Sequence, residues 1–377
     1  MLKKLFSTIF SLVSLTISFS QTAREYHMKG NAKSDLMDFR GAIVEYSKAI
    51  EINPTDAEAY YNRGNAKISF EIKDYSGAIK DFTKTIELNP YKDSAYLFRA
   101  FAKSRLKDFF GAISDLTKTI QLTPNSTVAY GLRAHFRDSL KDYVGAIEDY
   151  NKTIELDVDS NFLYDNYFDR GKARIKLSDY TGATKDFTKA IELLPNYYDA
   201  YFNRGDVKAN LKDYKGAIAD FTKAIELHPN YYDAYFNRGD AKVHLEEYAE
   251  AIADFTNAIE INPNNDAVYV FRGLAKFYLS DFRGAIADYT KAIKINPKNG
   301  YAYDFRGESK SKLKDYIGAI KDFDKAIEIN PKNTDAYQNR GIARITIKQK
   351  SNGCLDLSKA GELGNEKAYD LIKKYCE

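Results

Sequence analysis

From residue 23 onward, apolar and small positions recur at intervals of three and four, in short runs that come in pairs split by a polar turn. That spacing marks one face of an α-helix, so each pair predicts two helices. In the stretch 198–229, Tyr201, Gly205 and Ala209 lie on the face of a first helix, and Ala217, Phe221, Ala224 and Ile225 on that of a second. Lys212-Asp213 reads as the turn between them, and Pro229 stops the second helix. Small residues at Gly205 and Ala217 let the two backbones approach, and aromatic side chains fill the space beside them.

The prolines act as rulers. Pro195, Pro229, Pro263, Pro297 and Pro331 stand 34 residues apart. Pro54 to Pro90 is 36, which places two extra residues near Ser69–Asp74. Val158 stands 34 after Pro124, where a proline is expected, and 37 before Pro195, so three residues are added between units there. A 34-residue period of helix pairs predicts an all-α stack. Ten units start near residues 23, 57, 93, 127, 164, 198, 232, 266, 300 and 334. The last is altered in its second helix, where Gly353 replaces an alanine.

Tyr201, Gly205, Ala217, Phe221, Ala224 and Pro229 recur as Tyr235, Gly239, Ala251, Phe255, Ala258 and Pro263, and as Tyr303, Gly307, Ala319, Phe323, Ala326 and Pro331. This pattern resembles the tetratricopeptide repeat family. The resemblance implies a right-handed superhelical solenoid of stacked antiparallel helix pairs. It further implies that first-helix positions two, five, six, nine, twelve and thirteen face the concave side, where a protein or peptide binds.

One departure from the family pattern recurs in phase. An arginine precedes the small residue at Arg63, Arg99, Arg133, Arg170, Arg204, Arg238, Arg272, Arg306 and Arg340. Four residues later comes Lys67, Lys103, Arg137, Arg174, Lys208, Lys242, Lys276, Lys310 or Arg344, on the same helix face. The second helix answers with Asp81, Asp115, Asp149, Asp186, Asp220, Asp254, Asp288, Asp322 and Asp356. A ladder of Arg–Asp contacts across each helix pair is expected. Because the arginine recurs so regularly it reads as scaffold, and ligand selection falls to positions that change from unit to unit.

Those positions give a candidate groove of Asn62, Phe98, Phe101, Phe202, Asn203, Asp206, Phe236, Asn237, Asp240, Phe271, Phe277 and Tyr278. Units six and seven are acidic and aromatic there, flanked by apolar patches in units three and eight. Phenylalanines can take an apolar side chain of a partner, and asparagine amides can bond an extended backbone. By the resemblance, Asn62, Asn203, Asn237 and Asn339, which share one position, form such an amide ladder. Packing of Phe271 and Phe277 between units is the alternative use of those rings. A clamp for a carboxyl terminus would need cations in the groove, where Phe202, Phe236, Asp206 and Asp240 stand instead; Lys172, Lys176 and Arg105 are isolated exceptions.

Charge narrows the partner class. Across 377 residues, 56 Lys and Arg face 53 Asp and Glu, a formal +3, so no global field attracts nucleic acid or anionic lipid. Lys3 and Lys4 precede an uncharged stretch from Leu5 to Phe19 closed by Ser18-Phe19-Ser20, the layout of a secretory signal peptide over residues 1–20. Cleavage after Ser20 is expected to leave a periplasmic or secreted product without a membrane span, with the solenoid over 21–361 and a capping helix over 362–377. Leader and repeat together resemble the exported bacterial type of the family.

Catalytic signals are missing. His27, His135, His228 and His244 are scattered, read as surface residues, and form no metal-spaced cluster. No phosphate loop or nucleophile elbow occurs, and no chain remains for a catalytic domain. Neither a reaction nor a cofactor or metal is assigned. Cys354 and Cys376 both fall in the last segment, where a disulfide is favoured in an oxidising compartment and two buried thiols are the alternative. The expected function is a non-enzymatic interaction scaffold. The alternatives are a self-associating structural solenoid and an accessory to a cell-surface enzyme or sugar-binding system.

Overall fold

The computed structural model describes residues 21–156 and 163–377, and among them every regular element is an α-helix. The expected leader and the three residues added after Val158 lie outside the described residues. The helices pair along the chain: α1 (21–35) with α2 (Phe39–Ile52), α3 (Ala57–Ile68) with α4 (Tyr75–Leu88), α5 (Asp93–Arg105) with α6 (Phe109–Leu122), and α7 (Thr127–Ser139) with α8 (Tyr143–Leu156). The series continues with α9 (Leu163–Lys176) and α10 (Tyr180–Leu193), α11 (Tyr198–Asn210) and α12 (Tyr214–Leu227), and α13 (Tyr232–His244) and α14 (Tyr248–Ile261). It closes with α15 (Asp266–Tyr278) and α16 (Phe282–Ile295), α17 (Gly300–Lys312) and α18 (Tyr316–Ile329), α19 (Thr334–Thr346) and α20 (Lys350–Glu362), and a last helix α21 (Lys367–Tyr375).

The chain divides into two compact bodies between Lys189 and Ala190, inside α10. In the amino-terminal body α2 packs on α3, α3 on α4, and so on to α8 on α9, and the first helices α3 and α5 also touch. In the carboxy-terminal body α11 packs on α12 and each later helix on its successor through α21. The first helices α11, α13, α15, α17 and α19 also touch in sequence there, so their outer sides form one continuous face. Both bodies are helix-pair stacks of the solenoid type.

In eight of the ten pairs the turn and the second helix are set by the same few atoms. The second residue past the first helix takes a left-handed conformation in nine pairs, as at Lys212 (φ 63°), and with Lys73 the ten such turn residues lie between 54° and 66°. This reversal lets the Asp213 N–H bond back to the Lys208 carbonyl at 2.8 Å. Asp213 then caps the second helix, accepting from the Gly216 N–H at 3.0 Å. Asp38, Asp74, Asp108, Asp142, Asp179, Asp281 and Asp315 make the same bond at 2.8–3.0 Å. The longer turn after Ile68 absorbs the two extra residues there and reaches its left-handed residue at Lys73.

Within a pair the core is one large side chain against one small one. The Phe221 ring lies on Gly205, where an added Cβ would sit 2.8 Å from its Cε1, and Phe82, Phe187, Phe255, Tyr289 and Phe323 repeat the arrangement on their glycines. These rings are fully buried. In unit ten Leu357 takes the ring's place, and the helices close up until a Cβ on Gly353 would meet the Gly341 carbonyl at 2.6 Å. Gly353 is therefore a requirement of α19–α20 packing. The second helix there is not degenerate: α20 runs 13 residues against 14 in the others. Beyond a turn at Gly364 (φ 102°), α21 packs on α20, and a disulfide joins Cys354 to Cys376 with the Cα atoms 5.9 Å apart.

Candidate functional site

The expected Arg–Asp ladder is present, and it determines which charges remain free. Arg238 donates through Nε to Asp254 Oδ2 at 3.0 Å and through Nη2 to Oδ1 at 2.6 Å, a two-toothed pair that only a guanidinium can make. Lys242 adds a contact to Oδ2 at 2.7 Å. The same trio forms around Asp81, Asp115, Asp149, Asp186, Asp220, Asp288, Asp322 and Asp356, all at most 5% exposed. Each arginine also lies over the ring three residues before it, Arg238 on Tyr235 at 5.5 Å. In eight units its Nη1 reaches back to the preceding unit, to Ser47, Thr83, Thr117, Asn151, Thr222, Thr256, Thr290 and Asp324. This last contact is invisible to pattern reading, because nothing in the spacing says that a threonine of one unit faces the arginine of the next.

The repeated cations of the first helices are thus committed inward, and the variable positions carry the outer face. In the carboxy-terminal body position nine holds Asp206, Asp240, Leu274, Glu308 and Ile342, and position five adds Asp304. Burial pushes the carboxyls of Asp206, Asp240 and Glu308 above their ordinary range, and that of Asp304 to about 6. Asp304 accepts from Asn333 Nδ2 at 3.0 Å through Oδ2, and its Oδ1 is buried without a partner. No cation of the ladder reaches them.

The candidate phenylalanines serve packing first. Phe202 lies 5.7 Å from Phe221 and 4.8 Å from Tyr231, Phe236 sits between Phe255 and Phe271, and Phe277 leans on Phe282. Tyr278 stacks on Tyr248 at 5.0 Å and stays 54% exposed. In the other body Phe98 stacks on Phe82, and Phe101 packs edge-on to Tyr75. Of the candidate rings, Phe271 also lines a cavity of about 380 Å3, with Val270, Leu274, Tyr301 and Phe305. Sequence reading missed Tyr301 and Phe305, although they stand at variable positions two and six. Next to it a second cavity of about 260 Å3 is lined by Glu308, Lys312, Asn339 and Ile342.

The four asparagines that share one position have different surroundings. Asn203 donates to the Asp199 carbonyl of its own helix at 2.8 Å, and Asn62 donates to Asn31 Oδ1 at 3.2 Å and lies 3.1 Å from His27 Nε2. Asn339 opens on the second cavity, and Asn237 is half-buried on α13. Two histidines are not surface residues: His27 is held between Asp56 and Asn62, and His228 is half-buried beside Tyr198 and Tyr231. His135 and His244 are exposed. Among the described residues no group of three or more His, Cys, Asp or Glu could hold a metal ion, and no helix is long and apolar enough to cross a membrane.

Comparison with known proteins agrees with this architecture. Residues 198–231 and 232–265 match one family model described as Tetratricopeptide repeat, residues 267–299 and 301–333 match another of that description, and residues 30–68 match one described as TPR repeat. Similar solved structures include the C-terminal part of a TPR repeat-containing protein from Cytophaga hutchinsonii, 20% identical over 64% of this chain and 97% of that one, with a TM-score of 0.56. A tetratricopeptide repeat protein from Parabacteroides merdae is 18% identical over 67% of this chain and 99% of that one, at 0.50. YrrB, described as a TPR protein with an unusual peptide-binding site, is 24% identical over 50% of this chain and 97% of its own, at 0.44. No curated protein matches the chain in sequence.

Proposed function

We propose that this chain, a tetratricopeptide repeat protein, is a non-enzymatic scaffold that binds a protein or peptide along the face of its first helices, in an exported compartment. One observation carries the reading. The recurrent charges are tied to one another within the helix pairs, two cations on each buried aspartate, whereas the residues that differ between units, Asp206, Asp240, Phe271, Tyr301 and Glu308 among them, give the first helices acids and an apolar cavity. A surface so divided holds its shape with one residue set and reads a partner with another. The leader pattern and the Cys354–Cys376 disulfide support export.

The test replaces Phe202 with Leu, Phe236 with Leu, and Asp206 and Asp240 with Asn, and measures capture of partners from the native exported fraction. Loss of capture with helical content unchanged is expected; undiminished capture moves the site away from units six and seven, and undiminished capture by Tyr301→Ser with Glu308→Gln as well refutes the reading. The mass of the chain recovered from that fraction tests export: it is expected to begin at Gln21, and a chain retained in the cytosol with Met1 overturns that part.

A further inference from the structure

We propose that the first-helix face of units eight and nine receives a basic segment of the partner, with one aliphatic or aromatic side chain seated between α15 and α17. This rests on the scaffold reading and names the chemistry of its occupant. The cavity of about 380 Å3 is lined by Val270, Phe271, Leu274, Tyr301 and Phe305. It lies at the low end of the roughly 300–1,000 Å3 range of ligand pockets, a size suited to an anchoring side chain. Tyr301 stands 73% exposed at its rim.

Charge selects the occupant. α17, which walls the anchor cavity through Tyr301 and Phe305, also carries Glu308, which lines the adjacent cavity, and the more deeply buried Asp304, which accepts from Asn333. Asp240 and Asp206 extend the acidic positions along α13 and α11. The cations nearest in sequence are already bound: Lys310 to Asp322 and Lys276 to Asp288, each at 2.7 Å. Lys312 alone lines the cavity with Glu308 as a cation. An acidic segment would meet like charge here, and a neutral one would desolvate the carboxylates without compensation, whereas a basic one neutralises them. The amino-terminal body lacks this character: its position nine reads Asn31, Asn65, Phe101, His135 and Lys172. Adjacent helices are spaced roughly 10 Å apart, and an extended chain advances about 3.3 Å per residue. The partner's basic residue therefore lies about three positions from its anchor.

The experiment is fluorescence anisotropy of the full chain with three labelled peptides of Gly and Ser. The first carries one Leu with a Lys three positions to either side, the second replaces both Lys by Glu, and the third replaces Leu by Ala. The Lys–Leu peptide is expected to bind saturably, the Ala peptide roughly tenfold more weakly, and the Glu peptide not at all. Glu308→Gln and Tyr301→Ser, both compatible with the fold, are each expected to weaken the Lys–Leu peptide severalfold, and Glu308→Gln to flatten its salt dependence. Failure of the Lys–Leu peptide to bind, or equal binding to the two variants, overturns the inference. Binding of the Glu peptide that Tyr301→Ser abolishes also overturns it, but leaves the scaffold reading standing. Partner capture that ignores every groove substitution removes both.

Discussion

Asp254 shows how much one carboxylate does here. It is 2% exposed and accepts two bonds from Arg238 and one from Lys242. Asp254→Ala would leave two cations facing a buried gap, so a loss of about 3 kcal/mol is expected, at the low end for a broken buried pair because both cations keep some water. Denaturant unfolding with hydrogen exchange across α13 and α14 measures it. Asp304 works in the opposite sense. Burial, with repulsion from Asp335 and Glu308, outweighs the bond from Asn333 and raises its pKa from 3.8 to about 6. The fold then prefers the neutral acid, so its stabilising share is complete below pH 4 and is lost as pH rises through 6. Between pH 4.5 and 7.5 the native chain should lose about 2 kcal/mol relative to Asp304→Asn, read as a pH-dependent gap between their unfolding curves. The Asp254 ladder was legible because its partners keep a constant offset of 16 in most units. The Asp304 environment was not, because it is shared with Asn333 and Asp335 at the start of α19, a contact between units that the pattern within one unit does not carry.

At the scale of the helix, the capping aspartate and the glycine three residues on form one device. An added Cβ at Gly216 would fall 2.2 Å from Asp213 Oδ2, so the glycine leaves room for the carboxylate in the orientation it takes. Unit seven lacks both: α14 begins after Glu247 without a side-chain cap and carries Glu250 in the glycine's place. Glu247→Asp with Glu250→Gly should therefore stabilise α14 by about 1 kcal/mol. Glu247→Asp alone should give less, the deficit appearing as a coupling energy in a double-mutant cycle of thermal unfolding. Helix identity and boundaries were readable from periodicity and the prolines. The role of each phenylalanine was not: Phe236 and Phe271 have equivalent hydrophobicity in the sequence, yet Phe236 lies between Phe255 and Phe271, and Phe271 reaches the cavity wall. The neighbouring unit decides, and pattern within one unit carries no record of it.

For the molecule as a whole, a stack of this kind transmits a change only to its neighbours. Cys354→Ser with Cys376→Ser removes a link spanning 22 residues, and about 3 kcal/mol should be lost from the terminal unit. Hydrogen exchange should quicken in α19, α20 and α21 while α11 through α16 stay as they were. Change spreading into those distant helices would contradict nearest-neighbour behaviour. The backward reach of these eight arginines adds a direction to the stack. Arg63 bonds Ser47 and Arg340 bonds Asp324, in each of these eight cases one unit earlier. A polypeptide made or threaded amino end first therefore meets the preceding unit's hydroxyl, amide or carboxylate before the guanidinium that reaches back to it. Growth can proceed like bricks laid on a set course: such an arginine finds the preceding unit already in place and waits only for the aspartate of its own second helix.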